Sequence, residues 1–175
     1  MNDGYRLRSP ADRLRWLTGA WRATVPAASV VILLFLLTAP IVLPWPALPQ
    51  LGLAAVFVWA TFQPGLMPPW LAFLLGGLAD LLFGLPLGCE ALLFALAALF
   101  VRLFERRFGH HRFGFDWALF AGVAVVHAVL GWEIIGFVGG GGPLPPLLVQ
   151  AATTVAVYPA AVLLCARIQR RWLRS

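Results

Sequence analysis

Four ionisable side chains stand inside otherwise apolar stretches of this 175-residue chain and are the first candidates for chemistry: Asp80, Glu90, His127 and Glu133. An acid at the centre of an apolar helix costs about 2.5–3.5 kcal/mol on insertion scales, so Asp80 must face protein or water. Two roles fit it. It could offer a site to a partner's polar group or to a proton. Alternatively it accepts hydrogen bonds from the backbone amides of the Gly84–Gly88 turn a few residues on, which lie within reach of its helix end. On the second role Asp80→Asn, which keeps an acceptor of the same shape, is nearly silent. Glu90 opens the next apolar run just after Gly88, where the helix dipole and free amides favour a carboxylate, so capping accounts for it. Because Asp80 and Glu90 flank one turn, they could line one polar pocket at the outer face. Paired carboxylates can do acid–base work, but nothing else of a hydrolase accompanies them.

The remaining candidates have plainer readings. His127 sits among Val and Ala, and Glu133, six residues on, is too far round to share its face closely. A lone His there is a satisfied interhelical donor rather than a ligand. His110 and His111 fall in an Arg-rich stretch and read as a solvated turn. Cys89 and Cys165 lie in apolar runs as small buried hydrophobes, which argues against a disulfide framework. No HExxH, paired cysteines or ligand cluster points to a metal, and Gly139–Gly142 lacks the Lys-Ser/Thr of a phosphate loop. We therefore expect no catalytic residue, no metal and no cofactor.

The elements that must hold these residues follow from the charges. Only Asp80 and Glu90 are charged in residues 23–101, and only Glu133 in residues 117–166. The other charges crowd into three short clusters. With 61% hydrophobic and 11% charged residues, where soluble domains carry about 25% charged, this is the composition of a membrane protein and excludes a soluble catalytic domain. All basic residues are Arg, and their place beside apolar spans is the positive-inside, anionic-lipid signature rather than that of nucleic-acid binding.

The Arg clusters are residues 1–22, 102–116 and 167–175. If all three are cytoplasmic, each stretch between them crosses an even number of times. Residues 117–166 make two crossings, split at Gly139–Pro143. Residues 23–101 are too many for two helices of about 20 residues each and make four. Breaks fall at Pro44, Pro46 and Pro49, at Pro64, Pro68 and Pro69, and at Gly84-Leu85-Pro86-Leu87-Gly88. The expectation is an all-α polytopic protein of six transmembrane helices, about 23–43, 51–66, 69–84, 87–103, 117–137 and 145–166, with both termini cytoplasmic. The second to fourth spans are short, so their ends or turns sit inside the bilayer sheltered by protein. Trp45, Trp70, Trp132 and Trp172 fall near span ends, as an interfacial belt places them.

Three regions result: an Arg-rich cytoplasmic arm (1–22), one six-helix domain (23–166) and a basic tail (167–175). Ser9-Pro10-Ala11-Asp12 reads as a helix start with Pro at the first position. Leu14, Leu17 and Trp21 share a face, which suggests an interfacial helix on the inner leaflet with Arg6, Arg8, Arg13 and Arg15 toward anionic headgroups. A frayed topogenic flank is the alternative.

The stretch Gly76-Gly77-Leu78-Ala79-Asp80-Leu81-Leu82-Phe83-Gly84-Leu85-Pro86-Leu87-Gly88, followed by the apolar Ala91–Leu99 run, resembles the signature of the rod shape-determining protein MreD family, whose overall plan covers nearly the whole chain. The resemblance implies a non-enzymatic scaffold of the bacterial inner membrane. It would act in the elongation machinery for peptidoglycan with MreC, MreB, RodA and a penicillin-binding transpeptidase. Carried over by position, Asp80, Gly84, Pro86 and Gly88 shape the family's turn, while Glu90 and the long Arg-rich arm depart from the pattern. The family is also similar to the six-helix substrate-binding components of vitamin-uptake transporters, which supplies the alternative function.

Overall fold

The computed structural model describes residues 10–38, 48–108, 113–139 and 144–172, and in the first of these segments the side chains from Thr24. Among them there are six helices and no strand: α1 (Pro10–Leu37), α2 (Leu51–Phe62), α3 (Pro69–Phe83), α4 (Cys89–Phe108), α5 (Phe113–Phe137) and α6 (Leu144–Trp172).

The element count agrees with the sequence reading, and the ends differ for local reasons. α1 begins at Pro10 as expected but runs without a break through residue 23, so the arm and the first span share one helix. It stops at Leu37 rather than near 43, and the sequence carries Pro40 three residues on, a residue type that does not continue a helix. α2 stops at Phe62, not 66, since Gln63 precedes Pro64 and takes an extended φ of −144°. α4 and α6 outrun their apolar spans into the Arg-rich stretches, where straight-chain polar residues continue a helix at little cost, and α5 begins four residues early, at Phe113, with Asp116 in its first turn. Arg6, Arg8 and Ser9, the Pro44 and Pro46 break, Trp45, His110, His111 and Gly140–Pro143 lie outside the described residues.

α2 is the axis of the fold. It is apolar all round, and every residue from Gly52 to Thr61 is buried, as a helix without a polar face must be. It packs on all five other helices. Phe57 meets Phe120 of α5 and Tyr158 of α6 edge-on, at 5.1 and 5.8 Å between ring centroids, and Phe120 and Tyr158 stack at 4.6 Å. The Trp59 indole donates to the Ser29 hydroxyl at 2.8 Å, which itself donates to the Pro26 carbonyl at 2.7 Å, tying α1 to α2.

Pro159 lies inside the continuous helix α6 and removes the N–H that the Val155 carbonyl needs. The Trp117 indole of α5 supplies a donor in its place, 3.0 Å from that oxygen. The donor missing from one helix is thus supplied by a side chain of its neighbour.

The outer surface is apolar. Ile32, Trp70, Leu81, Leu92, Val126 and Leu148 are among many large hydrophobic side chains exposed on α1 and α3–α6. A surface of this kind calls for lipid rather than water. By length and composition α5 (25 residues) and the Pro145–Arg171 stretch of α6 (27 residues) are able to cross a membrane. The apolar part of α1 (Thr24–Leu37), α2 and α3 are shorter. At 1.5 Å per residue α2, with 12 residues, reaches about 18 Å.

Candidate functional site

Of the buried polar side chains, Asp80, Glu90, His127 and Thr154 belong to one network that starts at the turn between α3 and α4, apart from Ser29 and Thr61. α3 ends because Gly84 adopts a left-handed conformation (φ 65°, ψ 29°) as its C-cap, its N–H and that of Leu85 both returning to the Asp80 carbonyl. The Pro86 carbonyl then accepts the Cys89 N–H at 3.1 Å, and Gly88, at φ 100°, turns the chain into α4. A Cβ at Gly84 or Gly88 would meet nothing within 4 Å. Their requirement is for positive φ, which side-chain-bearing residues disfavour. Gly84-x-x-x-Gly88 is therefore a turn and not a helix-packing motif.

Asp80 is fully buried at the end of α3. Its Oδ2 accepts the N–H groups of Gly88 (2.9 Å) and Ala91 (3.3 Å), and its Oδ1 that of Glu90 (2.8 Å). The first N–H groups of a helix have no partner inside it and attract negative charge. Asp80 thus caps α4 from the preceding helix. The turn-satisfying role is the one the geometry supports, and it extends beyond the turn to the first residues of α4.

Glu90 does lie in the first turn of α4, but its carboxylate does not serve the helix end, because Asp80 already holds those amides. It is buried and turned the other way. Oε2 lies 2.9 Å from His127 Nε2 of α5, and Oε1 accepts from Gln50 Nε2 at 3.4 Å. His127 is the satisfied interhelical donor expected, with Glu90 rather than the exposed Glu133 as its partner. From Gln50 the bonds continue into α6. The Gln50 N–H donates to the Thr154 hydroxyl at 2.9 Å, that hydroxyl donates to the Gln150 carbonyl, and the Gln150 side chain donates to the Leu48 carbonyl.

Side chains of five helix ends or faces are joined in this way, and no buried side-chain N or O among the described residues lacks a partner. The carboxylates do not line an open pocket. Asp80 and Glu90 point apart, separated by the backbone of α4's first turn. What the arrangement does chemically is hold: it fixes α3, α4, α5, α6 and the start of α2 at one end of the bundle.

Close approach of α3 and α4 makes the Asp80 cap reachable. Ala72, Leu75, Gly76, Ala79 and Asp80 form the buried face of α3, at the i, i+3, i+4 spacing of one helix stripe. A Cβ on Gly76 would sit 2.6 Å from the Ala91 Cα and closer still to the Glu90 carbonyl oxygen. Gly77, one position round, has only an ordinary 3.9 Å neighbour. Gly76, Gln50, Gln150 and Thr154 were not singled out from the sequence. The usable signals were Gly76 one turn before Asp80 and polar side chains beside the proline-rich breaks.

An all-helical chain with an apolar exterior and a seam of mutually bonded polar groups inside is a membrane-embedded helical bundle. The family model for the rod shape-determining protein MreD matches residues 20–168, and the chain belongs to that family, which has a role in rod shape determination. No curated protein and no solved structure matches the chain.

Proposed function

We propose that the chain is a six-span scaffold of the bacterial inner membrane, part of the peptidoglycan-synthesising elongation complex, with both termini cytoplasmic. The family match over residues 20–168 carries this reading. The polar seam supports the topology. It brings together the starts of α2, α4 and α6 and the end of α3, which leaves the Arg-bearing start of α1 and ends of α4 and α6 for the opposite side. The inward use of the polar groups supports a scaffold, since binding then rests on helix packing and shape with an MreC-like bitopic partner. MreB, RodA and a penicillin-binding transpeptidase join the same assembly, and anionic lipids meet the Arg clusters.

Co-purification in mild detergent tests the role: recovery of an MreC-like protein is expected. Recovery of a transporter ATPase and its membrane coupling subunit would instead establish the vitamin-uptake alternative. Reporter fusions test the topology. Those after Gly4, at Gly109 and after Ser175 should read cytoplasmic and one at Gly140 external. An external signal at Gly109 would refute the six-span arrangement, because it requires an odd number of crossings before it.

A further inference from the structure

α4 and α5 are joined at two points along their lengths. Near one end Glu90 holds His127 at 2.9 Å, and near the other the rings of Phe104 and Phe115 stack at 5.8 Å. Along this seam an apolar groove of about 540 Å³ opens on the outer surface, walled by Leu93, Ala97 and Phe100 of α4 and by Gly122, Val126 and, toward Glu90, His127 of α5.

Its dimensions select the occupant. The volume falls in the roughly 300–1,000 Å³ range of small-ligand sites. Because the groove is open along the lipid-facing surface, an extended apolar chain can lie along it. The groove owes its depth to Gly122, where a Cβ would meet no atom within 4 Å.

Its charge selects the headgroup. Leu93, Ala97, Phe100, Phe104 and Arg107 succeed one another at i, i+4, i+7, i+11 and i+14, so Arg107 continues the stripe that lines the groove. Arg106 and Arg107 are both exposed in the last turn of α4. Glu105 lies about 200° round the helix from Arg107 at 100° per residue. Leu93 to Arg107 spans about 21 Å at 1.5 Å per residue, the reach of one extended long acyl chain.

We propose that the α4–α5 groove binds one anionic phospholipid, an acyl chain lying between Leu93 and Phe100 and the phosphate meeting the guanidinium groups of Arg107 and Arg106. The planar fork of Arg suits a phosphate. An apolar chain fills a gap whose lining otherwise lacks contacts.

Native mass spectrometry of the full chain in mild detergent, titrated with phosphatidylglycerol or phosphatidylethanolamine of identical chains, tests the site. Phosphatidylglycerol is expected to bind about tenfold more tightly, and millimolar inorganic phosphate should not displace it. Displacement by phosphate alone would show an anion site without a lipid and overturn the proposal. Gly122→Leu puts a side chain into the groove at a position where a Cβ meets no atom within 4 Å and should weaken retention about tenfold. It should also melt in lipid-free detergent no lower than the natural protein, having lost a mid-helix glycine. The double variant Arg106→Gln, Arg107→Gln should erase the headgroup preference and leave phosphatidylethanolamine binding unchanged. Independently of these variants, a photo-crosslinker at Val126 should form lipid adducts in cells. Equal affinity for the two lipids, undiminished retention in a folded Gly122→Leu protein, or a protein adduct at Val126 would overturn the site.

Discussion

Asp80→Asn is the sharpest perturbation of the polar seam. From the sequence it should be nearly silent, because Asn preserves shape and an acceptor. The structure changes that expectation. Both carboxylate oxygens are engaged, Oδ2 by Gly88 and Ala91 and Oδ1 by Glu90. An Asn carbonyl in the Oδ2 position keeps two of the three bonds and turns its NH2 group against the Glu90 N–H. One buried donor then loses its acceptor, at about 1–3 kcal/mol. Loss of negative charge at the start of α4 adds up to about 2 kcal/mol. Asp80→Leu strands all three donors, about 3–9 kcal/mol, which approaches the whole stability of a typical domain of about 5–15 kcal/mol. Reversible unfolding in mixed micelles, followed by tryptophan fluorescence, should rank the natural protein above Asp80→Asn and that above Asp80→Leu, with cellular abundance in the same order. An Asp80→Asn protein that unfolds at the natural midpoint would refute the capping argument. If such a protein also lost shape control, the acid would be serving a partner.

Other substitutions separate the remaining contacts. Gly76→Ala should destabilise by about 1–3 kcal/mol through overpacking against the Glu90 carbonyl and Ala91, while Gly77→Ala should be neutral or stabilising, both read as unfolding midpoints in micelles. Glu90→Leu leaves His127 and Gln50 without their shared acceptor and should cost about 1–3 kcal/mol per stranded donor, whereas Glu90→Gln retains acceptor capacity and should cost less. Trp117→Phe should cost about 1 kcal/mol by leaving the Val155 carbonyl bare, and adding Pro159→Ala, which restores an intrahelical N–H, should cancel the loss in a double-mutant cycle.

The helices were legible because prolines, glycines and the retreat of charge mark their ends without tertiary information. Two of the ends that were misplaced, at Leu37 and Phe62, stop short of a nearby proline rather than at it, while α1, α4, α5 and α6 run past the apolar stretches that hydropathy alone marks. Asp80's service to the turn could be foreseen, since its partners lie within eleven residues. The Glu90–His127 bond could not, because 37 residues separate the two and the rotation of α5 about its own axis is decided by packing, not by any local pattern. The same holds for Trp117 and Val155. Each is unexceptional in sequence, and only the juxtaposition of α5 with the proline-bearing part of α6 pairs them.

The cap on α4 also bears on how the chain enters the bilayer during synthesis. Until Gly88, Glu90 and Ala91 have been made, α3 carries an acid with none of its three acceptor bonds formed, and an uncompensated acid in an apolar helix disfavours insertion. Once they emerge, the acid and the bare amides cancel one another. On the proposed six-span topology α3 and α4 should therefore leave the translocation channel as a single hairpin, and site-specific crosslinking of a nascent chain halted before residue 88 should find α3 at the channel wall rather than in lipid.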